Sequence, residues 1–456
     1  MRTGPCDFIQ NREAVSPEFL NRHLLHKNTF PIMYMSASRK TAVAHRGKVT
    51  AAMARPLSHA ELEAFHELEW PKLAPQLSAG LRTAVEKVLE TADGGSLSLA
   101  EQRLLAHAAG DDLLGVLCAA DQMRRHLVGD VVTYVVNRNI NFTNVCFVGC
   151  KFCAFSRGAR EPDAYFLSLE EIGQRTLEAR ARGATEVCIQ GGLPHGLAKF
   201  HYRDILRAVK NAVPDMHTHA FSPMEIVYGV ELTGMPVRDY LLMLKQAGLD
   251  TLPGTAAEIL DDDVRLVLSR NKLRTEQWRE VITTAHQCGI RTTSTLMYGH
   301  IETPDHWLAQ LRLLRDIQSQ TGGFTEFVPL GFVHQNTLLY QQGLARPGPT
   351  LEEHLKIHAL ARLLLAGSIK NVQVSWVKLD RQVAQLCLRA GANDYGGTLM
   401  EENISRLAGA TAGQYLSPED FQERIRELGR VPAERNTTYA RLKFPGESKR
   451  ATMRVA

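Results

Sequence analysis

Residues 131–153 read VVTYVVNRNINFTNVCFVGCKFC. The first ten, Val131–Ile140, are rich in β-branched and apolar side chains and predict a strand. The loop that follows carries Cys146, Cys150 and Cys153, a Cys-x3-Cys-x2-Cys pattern. A strand leading directly into reactive side chains suits a parallel α/β barrel, which carries its chemistry at the C-terminal ends of its strands.

The same alternation continues downstream. Strand-like runs recur at Glu186–Gln190, His217–Phe221, Asp250–Leu252, Arg291–Met297, Glu326–Leu330, Val372–Trp376 and near Ala392–Tyr395. Helices with recognisable starts lie between most of them. Ser168–Glu171 and Thr350–Glu353 are capping boxes, in which two side chains satisfy free backbone donors. Thr303-Pro304 supplies an N-cap and a proline in the first turn. Eight strands alternating with helices over about 270 residues predict a closed (βα)8 TIM-type barrel across 130–410, a fold of typically ~250 residues. No G-x-G-x-x-G follows the first strand to favour an open doubly wound sheet. Polar and glycine-rich signatures follow nearly every strand: Gln190-Gly-Gly192, Ser222-Pro-Met-Glu225, Pro253-Gly-Thr255, Tyr298-Gly-His300 and Asn393-Asp394. Signatures converging on one rim predict an active site.

Upstream, residues 56–129 have helical periodicity, with a capping box at Ser98–Glu101 and a core stripe of Leu104, Leu105, Leu113, Leu114 and Leu117. Residues 1–55 carry nine Lys/Arg against three Asp/Glu. They are expected to form a loosely ordered leader, with a transit segment as the alternative. Residues 411–456 predict one helix after Ser417-Pro418 and an irregular tail.

Composition narrows the class. A 44% hydrophobic and 22% charged chain is an ordinary globular one. A net charge of +4 over 456 residues gives no reason to expect a nucleic acid, and no apolar run approaches the ~18–20 residues of a membrane span. Five of the eight cysteines are scattered singly, which predicts a reducing, cytoplasmic setting and a metal site at the remaining three.

Three thiolates on one short loop can ligate three irons of a cubane and leave the fourth open to a ligand. Chance supplies this spacing in roughly two of a thousand such chains. The alternative is zinc, which usually takes four ligands; His217 and His219 are the nearest candidates to complete such a set, though histidines on one strand face are more often structural.

The spacing, with Phe152 before the last cysteine, resembles that of the radical S-adenosylmethionine (SAM) superfamily. The resemblance implies a [4Fe–4S] cluster on Cys146, Cys150 and Cys153, with SAM chelating the open iron and Phe152 near its adenine. Gln190, Gly191 and Gly192 correspond to the family's glycine-rich segment for the methionine amino group. Reductive cleavage of SAM would then release a 5′-deoxyadenosyl radical. Asn137–Asn144, Val187–Gly192, His219–Glu225, Leu252–Leu260, Thr292–His300, Thr321–Leu330 and Gly391–Thr398 further resemble the tyrosine-using, CofH-type component of 5-deazaflavin (Fo) synthases, and together span most of 130–410.

That resemblance implies a transferase of deazaflavin biosynthesis. It would cleave the Cα–Cβ bond of L-tyrosine, join the 4-hydroxybenzyl group to 5-amino-6-(D-ribitylamino)uracil and release 2-iminoacetate. It also implies an electron donor and a partner radical SAM subunit that completes the ring; with one cysteine triad, this chain would perform one half-reaction. Ser222 and Glu225 are candidates to meet SAM. His300, as a proton shuttle, and Glu326 are the candidate catalytic groups, and Glu258 and Asn393 the candidates to hold substrate. Each has an ordinary alternative: a packed histidine, a loop-closing carboxylate or a tie across the rim. Rival functions are a futalosine-pathway radical SAM enzyme of menaquinone synthesis, a non-catalytic metal-binding protein, and a helical interaction module over 56–129.

Overall fold

The computed structural model describes residues 55–446 and the short strand at 453–454; the leader expected over 1–55 lies, but for Arg55, outside them. The strands are β1 Val131–Val135, β2 Asn137–Ile140, β3 Glu186–Ile189, β4 His217–Ala220, β5 Thr251–Leu252, β6 Arg291–Tyr298, β7 Phe324–Gly331, β8 Asp394–Gly397, β9 Val431–Arg435, β10 Arg441–Lys443 and β11 Met453–Arg454. The strand expected over Val131–Ile140 is interrupted at Val136. Its second half joins the parallel sheet β2-β3-β4-β5-β6-β7, and its first half belongs to the sheet β11-β10-β9-β1-β8.

Backbone hydrogen bonds join the two sheets into a ring. The Phe327 N–H donates to Asn371 O and the Gln373 N–H to Phe327 O, each at 2.9 Å, while the Val374 N–H reaches Asp394 O at 2.8 Å. The seventh stave, expected as Val372–Trp376, is thus reduced to bridges at Val372 and Gln373 before the chain turns into a 3-10 helix at Trp376–Lys378. β8 pairs in parallel with β1 and completes the circuit.

Helices wrap the ring because each buries one stripe. In His201–Ala212, Tyr202, Ile205, Leu206 and Val209 follow the i, i+3, i+4, i+7 spacing and are all buried. The predicted capping boxes at Ser98, Ser168 and Thr350 form. The upstream helices, the longest being Ala79–Thr91 and Asp111–Val128, belong to the same core; Asp111–Val128 packs on the barrel helix Leu351–Leu364. Leu104 faces outward, 44% exposed. It is one residue, about 100° of helix, from the buried Leu105 and cannot share its face.

The C-terminal tail departs most from expectation. After the predicted helix, Pro418–Glu427, it forms β9, which runs parallel to β1 from Val131↔Val431 to Tyr134↔Glu434. It then supplies polar side chains to the N-terminal end of the barrel. Arg435 Nε donates to Asp394 Oδ2 at 2.5 Å and its Nη2 to Glu326 Oε2 at 3.3 Å. The Tyr439 hydroxyl also donates to Glu326, and Thr437 Oγ1 to Glu186 Oε2 at 2.6 Å. A TIM-barrel interior is ordinarily filled by branched apolar side chains; here its lower end is a bonded polar layer.

Candidate radical SAM site

A cavity of about 260 Å³ opens among the C-terminal ends of the strands. Cys146, Cys150 and Cys153 line it, from the loop after β2. That loop is held at its ends and its middle. Cys146 N–H donates to Arg157 O at 3.0 Å, and Cys153 N–H to Cys150 O at 3.1 Å. Gly149, at φ +70°, makes the turn between the first two cysteines, in the region that favours glycine. From outside, Lys151 N–H donates to Leu268 O at 2.9 Å and Ser269 Oγ lies 3.0 Å from Cys150 Sγ.

Opposite the cysteine loop sits the glycine pair after β3. A Cβ on Gly191 would stand 2.5 Å from the Phe142 ring, and one on Gly192 would strike the Val145 carbonyl and lie 3.0 Å from Cys146 Cβ. Only glycine lets the two segments approach so closely. Gly192→Ala should therefore displace the cysteine loop without unfolding the barrel. Its reconstituted iron content is expected to fall well below wild type at unchanged circular dichroism, and full iron loading would show that the contact is dispensable.

Ser222 caps the helix Pro223–Thr233 and forms a capping box with Glu225. Ser222 N–H and Oγ–H donate to Glu225 Oε2 at 2.6 and 2.7 Å, and Gly191 N–H donates to Oε1 at 3.1 Å. Burial pushes the Glu225 carboxyl up to about 7 against these three donors. Glu225 thus fastens the glycine pair to the next strand's helix. Gln190 Nε2 reaches Thr255 Oγ1 at 3.1 Å across the same wall.

Glu258 lies on the rim after β5 at φ +40°, near Ala256 at +59°. Left-handed backbone at such residues costs about 1–2 kcal/mol each. Arg265 holds the segment, donating from Nη2 to Ala256 O at 3.0 Å and from Nη1 to Ala257 O at 2.5 Å. Glu258 Oε1 accepts from Lys272 Nζ at 2.6 Å, and that ammonium stands 5.1 Å from the Phe152 ring centroid, within cation–π range. Arg265 and Lys272 were not singled out from the sequence: a lysine in a polar loop carries no motif, and its carboxylate partner is fourteen residues away.

The three cysteines and Phe152, Gln190, Gly191, Gly192, Ser222, Glu225 and Glu258 therefore share one cavity. Three other candidates do not line it. The His300 ring accepts from Ile301 N–H at Nδ1 (2.8 Å) and lies 3.0 Å from Met297 O at Nε2. Burial lowers its basicity and its side chain is fully enclosed, which suits a packed neutral imidazole. Glu326 stands at the third position of β7, bonded to Arg435 and Tyr439, whereas Leu330 and Gly331 of that strand reach the cavity. Four residues of strand separate them, about 13 Å. Asn393 precedes β8, where its Oδ1 accepts from Arg362 Nη2 at 2.6 Å and Val372 N–H at 2.9 Å. His217 and His219 each bond Thr251 Oγ1 at 2.8 Å and also lie outside the cavity.

Do the cysteines fit a cluster? One metal ion would need its ligand atoms to converge, with Zn–S near 2.3 Å. Among the described residues no three His, Cys, Asp or Glu side chains do so. A cubane asks less, since each thiolate reaches a different iron. Among the described residues no fourth cysteine lines the cavity, so the donor set they offer is the three-thiol one that leaves an iron open.

A ring of parallel strands with this loop above it defines a radical SAM domain, and residues 140–314 match the radical SAM superfamily. Residues 321–448 match the CofH/MqnC C-terminal region. The 5-amino-6-(D-ribitylamino)uracil–L-tyrosine 4-hydroxyphenyl transferase of Methanothermobacter thermautotrophicus is 49% identical over 359 residues, which are 79% of this chain and 98% of that protein. The FO synthase of Mycobacterium leprae is 55% identical over 340 residues, 75% of this chain and 39% of its own length; the chain spans about two fifths of the FO synthases it matches. Among solved structures, methylornithine synthase (PylB) superposes with a TM-score of 0.59 at 19% identity, covering 77% of this chain and 97% of that one. The maturase HydG from Carboxydothermus hydrogenoformans gives 0.60 at 15%, covering 84% and 87%. The chain belongs to the radical SAM superfamily and, within it, to the family of the 4-hydroxyphenyl transferase. Membership of the superfamily implies a [4Fe–4S] cluster and SAM. Among the described residues no helix is long and apolar enough to cross a membrane.

Proposed function

We propose that the chain transfers the 4-hydroxybenzyl group of L-tyrosine to 5-amino-6-(D-ribitylamino)uracil, releasing 2-iminoacetate and consuming SAM to methionine and 5′-deoxyadenosine. The observation that carries this reading is the similarity to a transferase of that name over 98% of its length. In the cytoplasm, an electron donor would supply the cluster, and a partner radical SAM subunit would complete the deazaflavin ring.

Cys146, Cys150 and Cys153 would hold the cluster, and Gln190, Gly191, Gly192, Ser222 and Glu225 would face SAM. When bound, cluster and SAM supply a one-electron cleavage that yields a carbon radical able to abstract hydrogen. The chain's own part is placement and shelter. Glu225 presents a buried carboxylate edge beside the glycine pair, suited to an ammonium. The Glu258–Lys272 pair keeps one rim wall charge-balanced. The polar layer around Glu326 and Arg435 closes the barrel below, so a reactive ligand meets solvent from one side only.

Anaerobic incubation of reconstituted protein with SAM, reductant, tyrosine and the ribitylaminouracil is expected to yield the adduct mass together with 5′-deoxyadenosine. Turnover of a futalosine-type substrate instead would assign the site to menaquinone synthesis. Absence of 5′-deoxyadenosine under all conditions would make the chain a metal-binding protein without this catalysis.

A further inference from the structure

Two lysines line the cavity above the cysteines, Lys272 and Lys378, and they are not equivalent. Lys272 is neutralised by Glu258 at 2.6 Å. Lys378 ends the 3-10 helix after the seventh stave, and its Nζ donates to Ser405 Oγ at 2.8 Å. Among the described residues no carboxylate lies within the 4.0 Å of an ion pair with it. Glu402 and the Cys153 thiol act on it only from beyond ion-pair range, and both Glu402 oxygens accept from the Ser405 N–H, at 3.0 and 3.1 Å. Burial accordingly pulls the Lys378 ammonium below its ordinary range. A cation withdrawn from water without a direct ion-pair partner is unfavourable, and a ligand anion relieves that cost.

Lys378 also has a distinctive position. It lies on the wall shared with a second chamber of about 230 Å³, which it lines together with Phe332, His334 and Asp380. Counting staves around the ring, the seventh stands across the barrel from the third, β4, whose loop carries Ser222 and Glu225. A ligand held at both walls would present an ammonium to Glu225 and an anion to Lys378. A ligand held by the glycine-pair wall leaves Lys378 for a second one.

We propose that Lys378, with Ser405, is the anchor for the α-carboxylate of an amino-acid ligand, placed across the cavity from Glu225. The proposal rests on the functional reading above, which supplies two such ligands, tyrosine and the methionine half of SAM; the opposite-wall placement favours tyrosine.

The test compares tyrosine with tyramine, which lacks only the carboxylate. Equilibrium dialysis of labelled tyrosine, tyramine and SAM is carried out on cluster-reconstituted wild type, Lys378→Met and Lys378→Arg. Wild type is expected to prefer tyrosine over tyramine by about 10- to 100-fold, the range of a charge-assisted contact. Lys378→Met should erase that preference with SAM affinity within twofold and iron content unchanged, and Lys378→Arg should restore most of it. Should Lys378→Met lose iron or secondary structure, Lys378→Gln, which keeps a donor for Ser405, replaces it in the same comparison. Preference retained in the neutral variants overturns the proposal. A loss of SAM affinity with the preference for tyrosine intact likewise overturns it. Wild type that binds neither tyrosine nor tyramine removes the functional reading, and the proposal with it.

Discussion

A Cys150→Ala variant is expected to lose its cluster iron and its production of 5′-deoxyadenosine together, while keeping the secondary structure of the wild type. Cys150 sits on a loop outside the strands, with Ser269 Oγ at 3.0 Å and Lys272 beside it. Burial pushes its thiol up to about 12, so without metal it is a neutral group whose removal exposes no charge. The fold therefore does not need it. A cluster does, because with two thiolates a second iron loses its protein ligand. Changes to partners that merely orient metal ligands already cost about 10–100-fold, so loss of a direct ligand should exceed the upper end of that range. Cys188→Ala is the matched control: Cys188 lies within β3 and does not line the cavity, and its iron should be untouched. Iron analysis beside circular dichroism decides the matter; a full iron complement in Cys150→Ala would sink the cluster assignment.

The second large effect is on stability. Arg435→Met should lower the unfolding free energy by about 3–5 kcal/mol, the cost of removing one partner from a buried ion pair. Arg435 is 2% exposed and faces Asp394 and Glu326, 0% and 6% exposed. Its removal leaves Asp394 with no cation among the described residues and strips Glu326 of one of its donors, leaving the Tyr439 hydroxyl and Gln373 Nε2. Adding Asp394→Asn to the variant should recover part of the loss, since the orphaned charge goes with it. Urea denaturation of the two variants and wild type reads this directly, and a single variant within 1 kcal/mol of wild type would mean that water, not Arg435, solvates the barrel floor. Cluster binding at the other end should be affected far less than stability.

These two sites mark the difference between what the sequence disclosed and what it concealed. The cysteines, Gln190–Gly192 and Ser222–Glu225 were legible because each is a local motif: a fixed spacing, a glycine pair or a short polar signature after a strand. The staves were legible where β-branched residues run together, as in Arg291–Tyr298. The strand β9 was not, because Val431-Pro-Ala-Glu-Arg435 has a proline and little alternation, both poor strand signals. The misplaced candidates share one cause. Asn393 and His300 belong to signatures expected after strands, and Glu326 opens an expected strand, yet which end of the barrel a residue occupies, and whether its side chain turns toward the lumen, depend on register. Arg435, Tyr439 and Lys378 were invisible for the complementary reason: their partners are distant in the chain.

The pairing of Val131 with Val431 also bears on how the molecule is made. Three hundred residues are synthesised between the two partners, which at about 5–20 residues per second takes roughly 15–60 s. The first stave thus emerges from the ribosome long before the segment that flanks it, and Asp394 is translated before Arg435 exists to neutralise it. Sealing of the barrel floor consequently comes late in synthesis, and a ribosome-stalled chain ending before residue 431 should remain open to protease at β1.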